Sequence, residues 1–139
     1  DEIGMEGGKD PFNRGSFPWY EIDGDILSFF RKLGDMRKHK SYVFGDAEFV
    51  PVSAADGVIC YERKKSNEFN QSFSVVVLVN RGDDAVNYTL PPHMTDVSDV
   101  FSSEGTVLDS GIVRIPPRGF VILENVPVIK KEYRPGAKI

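Results

Sequence analysis

The sequence predicts a mainly β protein, an antiparallel β-sandwich or Greek-key sheet preceded by an ordered loop and one helix. Three observations carry this. From Gly45 onward the hydrophobic period changes from helical to strand-like and does not change back. Within that part, apolar or alternating runs recur at about 10-residue spacing, separated by Gly, Pro, Asn and Asp turns. Before Gly45 only one stretch keeps a helical period, and the residues ahead of it keep none. The boundary is therefore set between residues 1–45 and residues 46–139.

Residues 1–22 are expected to form an ordered loop. They hold Gly4, Gly7 and Gly8, then Asp10-Pro11, Arg14 and the aromatic run Phe17-Pro18-Trp19. Such density of special-backbone residues is unusual for a terminus, and a loop of this kind carries meaning when a rigid scaffold positions it. Asp10-Pro11 suits the start of a short helical turn, since Asp can cap free N–H groups and Pro has none to waste. The opening, without Met or a signal peptide, is expected to be a cut within a longer chain.

Residues 23–39 read as a helix, with Asp23 or Asp25 as its cap. Arg37, Lys38 and Lys40 fall at its end, where the dipole favours cations. Ile26, Phe29, Phe30, Leu33 and Met36 fill one stripe, and Leu27 widens it. Burying these side chains is worth at most on the order of 10 kcal/mol, so the stripe needs a large partner surface. It is expected either to fold onto the β part or to bury itself by dimerisation or strand exchange. Gly34 costs about 1 kcal/mol against Ala, which suggests close packing against it.

The strands are expected at Ala47 to Val52, Val58 to Arg63, Ser72 to Val79, Val86 to Leu90, Asp96 to Phe101, Gly111 to Ile115 and Phe120 to Glu124. Turn signals lie between them, among them Asp56-Gly57, Arg81-Gly82-Asp83, Glu104-Gly105 and Pro116 to Gly119. Phe73 to Val79 is apolar nearly throughout, as suits a central strand covered on both faces.

The composition narrows the function classes. Apolar and charged fractions of 40% and 27% are those of a globular domain rather than a disordered one. A net charge of −4 argues against a nucleic-acid partner, which needs a basic surface. The tail cations Lys130, Lys131, Arg134 and Lys138 read as a solvated strip. No apolar run is long enough to span a bilayer as a helix, so no membrane partner is expected. The single cysteine, Cys60, leaves no disulfide within the chain, which favours a cytoplasmic setting. It is expected to be a buried, inert thiol. His39 and His93 are expected to be solvated, and no phosphate loop, nucleophile elbow or metal-ligand spacing is present. Neither cofactor nor metal is expected. Composition and spacing by themselves assemble no catalytic constellation.

The opening motifs go further. Asp1-Glu2-Ile3-Gly4-Met5, Gly7-Gly8-Lys9-Asp10-Pro11, Arg14 and Phe17-Pro18-Trp19 together resemble a segment of the α-amylase superfamily, glycoside hydrolase family 13. The likeness is strongest to its neopullulanase, cyclomaltodextrinase and maltogenic amylase branch. In that family the segment is the last βα loop of a (β/α)₈ barrel, followed by the barrel's closing helix and an all-β domain C. Ile115-Pro116-Pro117-Arg118-Gly119-Phe120 also looks like the turn before the last domain C strand. The resemblance implies that residues 1–45 end the barrel and that residues 46–139 form domain C, which stabilises it. It also implies a parent that cleaves α-1,4-glucosidic bonds, with α-1,6 bonds as a further candidate, with retention through two carboxyl groups. Those acids belong to earlier barrel strands, so this chain is expected to be inactive alone. Asp10 and Arg14 map onto a pair that contacts glucose of an α-glucan or maltooligosaccharide substrate, a task that suits carboxylate and guanidinium. The plainer alternative is an i,i+4 ion pair that shapes the loop. Trp19 reads as a hydrophobic anchor for the following helix. A different class of function, a carbohydrate-binding β-sandwich without hydrolytic activity, would use aromatics such as Tyr42, Phe44, Tyr61 and Tyr88.

Overall fold

The computed structural model describes residues 1–94 and 96–125, so the cationic tail lies outside the described residues. The chain divides into two compact units, Asp1–Ser41 and Tyr42–Ile139.

In the first unit a loop leads into helix α1, Gly24–His39. Asp23 is its N-cap, with its carboxylate accepting from the N–H groups of Asp25 and Ile26 at 3.0 Å each. Arg37, Lys38 and His39 close the last turn, and His39 Nδ1 lies 2.7 Å from the Asp35 carbonyl. No residue of α1 is buried. Phe29 and Phe30 stand 38% and 42% exposed, so the predicted stripe exists as an apolar surface. The close packing expected at Gly34 is absent: a Cβ there would meet nothing within 4 Å. That glycine weakens the helix without serving a contact among the described residues.

The second unit begins in the short helix α2, Ser41–Phe44, which the period analysis did not anticipate. Eight strands follow: β1 Glu48–Ala55, β2 Val58–Ser66, β3 Ser72–Asn80, β4 Val86–Thr89, β5 Val97–Ser102, β6 Val107–Asp109, β7 Ile112–Ile115 and β8 Phe120–Asn125. They form a five-stranded sheet in the order β1-β2-β3-β8-β5 and a three-stranded sheet in the order β4-β7-β6, with every neighbouring pair antiparallel. This is the antiparallel β architecture the sequence predicts.

Strand β3 sits at the centre of the larger sheet. Val75, Val76, Val77 and Leu78 are all buried, so consecutive side chains on opposite faces are both out of water. Val76 and Leu78 enter the main core with Val58, Cys60, Val121 and Leu123 of the same sheet. Val113 and Ile115 of β7, with Leu90 and Met94, complete it from the other side.

The two sheets are tied together at Asn80, which is only 1% exposed. Its Nδ2 donates to the carbonyls of Asp84 at 2.8 Å and Pro116 at 3.0 Å, and its Oδ1 accepts from the Gly82 N–H at 2.9 Å. A buried amide is tolerable only when its capacity is filled in this way. The partner turn reciprocates, since Arg118 N–H donates to the Gly82 carbonyl at 2.9 Å and Arg118 Nε pairs with Asp83 at 2.8 Å.

Cys60 is a buried free thiol, as expected. Burial pushes its pKa up; a hydrogen bond with Tyr88 works against this, and the charge of Glu62 adds to it. The folded state therefore keeps the proton at pH values where an unfolded thiol has lost it. Its contribution to stability is complete below about pH 8.5 and is lost as pH rises above that. Urea unfolding across pH 7.5–10 is expected to show this alkaline decline, and Cys60→Ala to flatten its first part. An unchanged pH profile in that variant would show that Cys60 is not its source.

Candidate functional site

The loop that carries the predicted site residues is closed on itself. Ile3, only 4% exposed, accepts through its carbonyl from the Asp23 N–H at 3.0 Å. Gly4 is required beside that bond. Its φ is +71°, and an added Cβ would lie 3.2 Å from both Asp23 Cβ and Ile26 Cδ1. Both ends of the loop therefore meet at the start of α1. Turn hydrogen bonds fold the middle: Phe12 N–H to the Lys9 carbonyl at 2.7 Å, Arg14 N–H to the Pro11 carbonyl at 3.1 Å, and Glu21 N–H to the Pro18 carbonyl at 3.0 Å.

Asp10 and Arg14 are brought together. Arg14 Nε lies 2.7 Å from Asp10 Oδ1, and the two side chains are 75% and 60% exposed. The Asp10 carboxylate thus points at Arg14 and not at the N–H groups of its own turn, and residues 10–13 form turns but no helix. One edge of each group is spent on the pair. Both side chains are mostly exposed, so each charged group stays open to a further partner. A diol fits such an arrangement, with one hydroxyl donating to the carboxylate and its neighbour accepting from the guanidinium.

Trp19 leans on Phe17, with ring centroids 4.6 Å apart and planes at 54°. It stays 73% exposed, and Tyr20 beside it is fully open. The expected anchor is therefore an open aromatic surface in this unit.

The aromatics of the β unit divide into three settings. Tyr88 is half-buried against the core, its hydroxyl 2.8 Å from Ser53 Oγ. Tyr61 packs on Phe49 at 5.0 Å, and Tyr42 meets Phe73 edge to face at 6.1 Å. Tyr42 and Phe73, with Lys65, Ser66 and Asn67, line an open cavity of about 530 Å³. The sequence does not point to it. Only the register that sets Lys65 opposite Phe73 brings these positions together.

His93 is solvent-exposed, as expected, and its ring also reaches a buried partner. Its Nε2 lies 3.2 Å from Oε2 of Glu62, a carboxylate whose side chain is 4% exposed on the core face of β2. A buried carboxylate needs a donor, and the turn at Pro91 to Met94 brings one across from 31 residues away. Among the described residues no group of three or more His, Cys, Asp or Glu side chains could hold a metal ion, and no helix is long and apolar enough to cross a membrane. His93→Ala strands the Glu62 carboxylate and is expected to lower unfolding free energy by about 1–3 kcal/mol in urea titration. Adding Glu62→Gln should recover part of that loss. A neutral result for His93→Ala would mean that the carboxylate is satisfied by other means.

No family model matches the chain. Among curated proteins it is 34% identical over 89 residues to an amylopullulanase of Thermoanaerobacter thermohydrosulfuricus, covering 60% of this chain and 6% of that protein. It is 28% identical over 131 residues to a maltogenic alpha-amylase of Bacillus acidopullulyticus, covering 89% of this chain and 22% of the relative. A cyclomaltodextrinase of Geobacillus thermopakistaniensis matches at 26% over 132 residues, with 88% and 21% covered. Among solved structures, the cyclic alpha-maltosyl-(1→6)-maltose hydrolase of Arthrobacter globiformis superposes with a TM-score of 0.66 at 22% identity, over 90% of this chain and 25% of that one. That likeness speaks for the fold alone. The chain spans a quarter or less of the length of these relatives. In sequence, and separately in fold, it is similar to enzymes of the α-amylase superfamily over part of their length.

Proposed function

We propose that this chain is the C-terminal part of an α-glucan-hydrolysing glycosidase. Residues 1–45 close its catalytic (β/α)₈ barrel, and residues 46–139 form a β domain that stabilises the barrel. The observation that carries the reading is the match to a maltogenic alpha-amylase over 131 residues, which runs through loop, helix and sandwich alike. The whole protein cleaves α-1,4-glucosidic bonds with retention. In the family this chain resembles, the acids for that chemistry lie on earlier barrel strands, ahead of the segment that these residues match. Asp10 and Arg14 serve as one wall of the sugar cleft and grip vicinal hydroxyls of a bound glucose.

The longer protein is the proper subject for testing the pair. Asp10→Asn and Arg14→Met should each lower kcat/KM on maltotriose about tenfold to a hundredfold, the cost of losing a charged hydrogen bond. The 139-residue chain alone should release no reducing sugar. Wild-type kinetics in both variants would remove the pair from the cleft, and hydrolysis by the isolated chain would remove the division of labour.

In the same reading the stripe of α1 is a surface made to be covered. Held apart from the rest of the enzyme, the 139-residue chain should pair with a second copy through this stripe, in which Phe30 is 42% exposed. Light scattering should give a mass above the monomer that Phe29→Ser together with Phe30→Ser returns to one chain. A strict monomer at about 100 µM would count against this pairing.

A further inference from the structure

We propose that the cavity lined by Tyr42 and Phe73 is a second carbohydrate site, which takes a glucopyranose unit of an α-glucan. The proposal rests on the reading that the whole protein acts on α-glucans. It needs nothing from the Asp10–Arg14 pair, because every lining residue belongs to the β unit.

Size comes first. About 530 Å³ falls within the range of small-molecule sites and leaves room for one or two sugar rings. The wall comes next. Tyr42 is 41% exposed and stands nearly perpendicular to Phe73, with ring centroids 6.1 Å apart, a contact that restricts its orientation. A pyranose offers an aromatic face its axial C–H bonds, whose slight positive charge matches the negative face of the ring.

The rim supplies the polar partners that a sugar needs. Lys65 Nζ is held 3.2 Å from Asp46 Oδ2, and both side chains are open to water. The hydroxyls of Ser66 and Ser72 lie 3.2 Å apart, and each keeps capacity for another bond. The lining itself is mostly apolar, which suits the C–H face of a sugar ring, while the rim groups can bond its hydroxyls. Sugar hydroxyls would replace the water bond for bond.

The hairpin that carries the rim is built in advance. Asn67 Oδ1 accepts from the N–H groups of Phe69 and Gln71 at 3.0 Å each, and its Nδ2 donates to Gln71 Oε1 at 2.8 Å. Asn70 adopts φ +56°, and Phe69 at the tip is 75% exposed. A turn held this firmly loses little freedom when a ligand arrives.

Titration of the ¹⁵N-labelled 139-residue chain with maltotriose, followed by NMR, tests this. Saturable shifts are expected at Tyr42, Lys65 to Asn67 and Phe73, with a millimolar Kd. Tyr42→Leu keeps the apolar bulk but removes the flat ring, and should weaken binding about tenfold or more. Tyr42→Phe should bind within a few-fold of wild type. Three results would overturn the site: no saturable shifts, wild-type affinity in Tyr42→Leu, or an apolar dye in the cavity that maltotriose does not displace. Hydrolysis by the longer protein is read separately. Its absence alongside maltotriose binding at Tyr42 removes the enzyme and leaves the site, and the reverse pattern removes the site alone.

Discussion

The β unit depends on a constraint that begins in the middle of β3. Four consecutive residues, Val75 to Leu78, are out of water, although neighbouring side chains on a strand point to opposite faces. Such a strand cannot lie at an edge, because an edge would expose its backbone and half of its apolar surface. It takes β2 on one side and β8 on the other, and the five-stranded sheet grows outward from there. The inner face then requires a second layer, supplied by Val113 and Ile115 of β7. Asn80, at the end of the same strand, fixes where that layer meets the first.

The polar interior follows the same economy. Asn80, Glu62 and Ser74 are the buried polar residues among those described. Asn80 and Glu62 are each reached by a turn from another part of the chain, and Ser74 sits on the ladder opposite Lys64 and Asn125. The cost of an unpaired polar group in an apolar core is large enough that these turns are structural necessities. Met94, fully buried, and His93, half out in water, show one turn meeting a packing need and a polar need at adjacent positions.

Much of this was legible in the sequence, and the misses have physical causes. The period change at Gly45, the apolar run of β3 and the capping role of Asp23 are local signals, and each reappears in the structure. Strand β6 escaped notice because Val107–Asp109 is three residues long and owes its conformation to pairing with β7. The turn after it uses Ser110-Gly111, both at positive φ, where Asn or Asp would have announced it. Arg118 at φ +51° is likewise held by its ion pair to Asp83 and not by its own preference. The partnership of His93 with Glu62 and the contact of Tyr42 with Phe73 join residues more than 20 positions apart, and only the tertiary fold brings them together. Asp10 and Arg14 were singled out by the resemblance of the opening motifs, and their contact is local, four positions apart in the sequence.

Asp23 does more than start a helix. Its N–H secures the far end of the loop, its carboxylate caps α1, and its carbonyl accepts from Leu27. The loop is in effect a purse whose drawstring is knotted at a single residue. Closing a flexible loop costs only about 0.6 kcal/mol more for each doubling of its length. Residues between Gly4 and Ile22 could therefore lengthen, shorten or change character while the knot and the helix beneath it held. A lineage could re-cut this loop and leave the scaffold untouched.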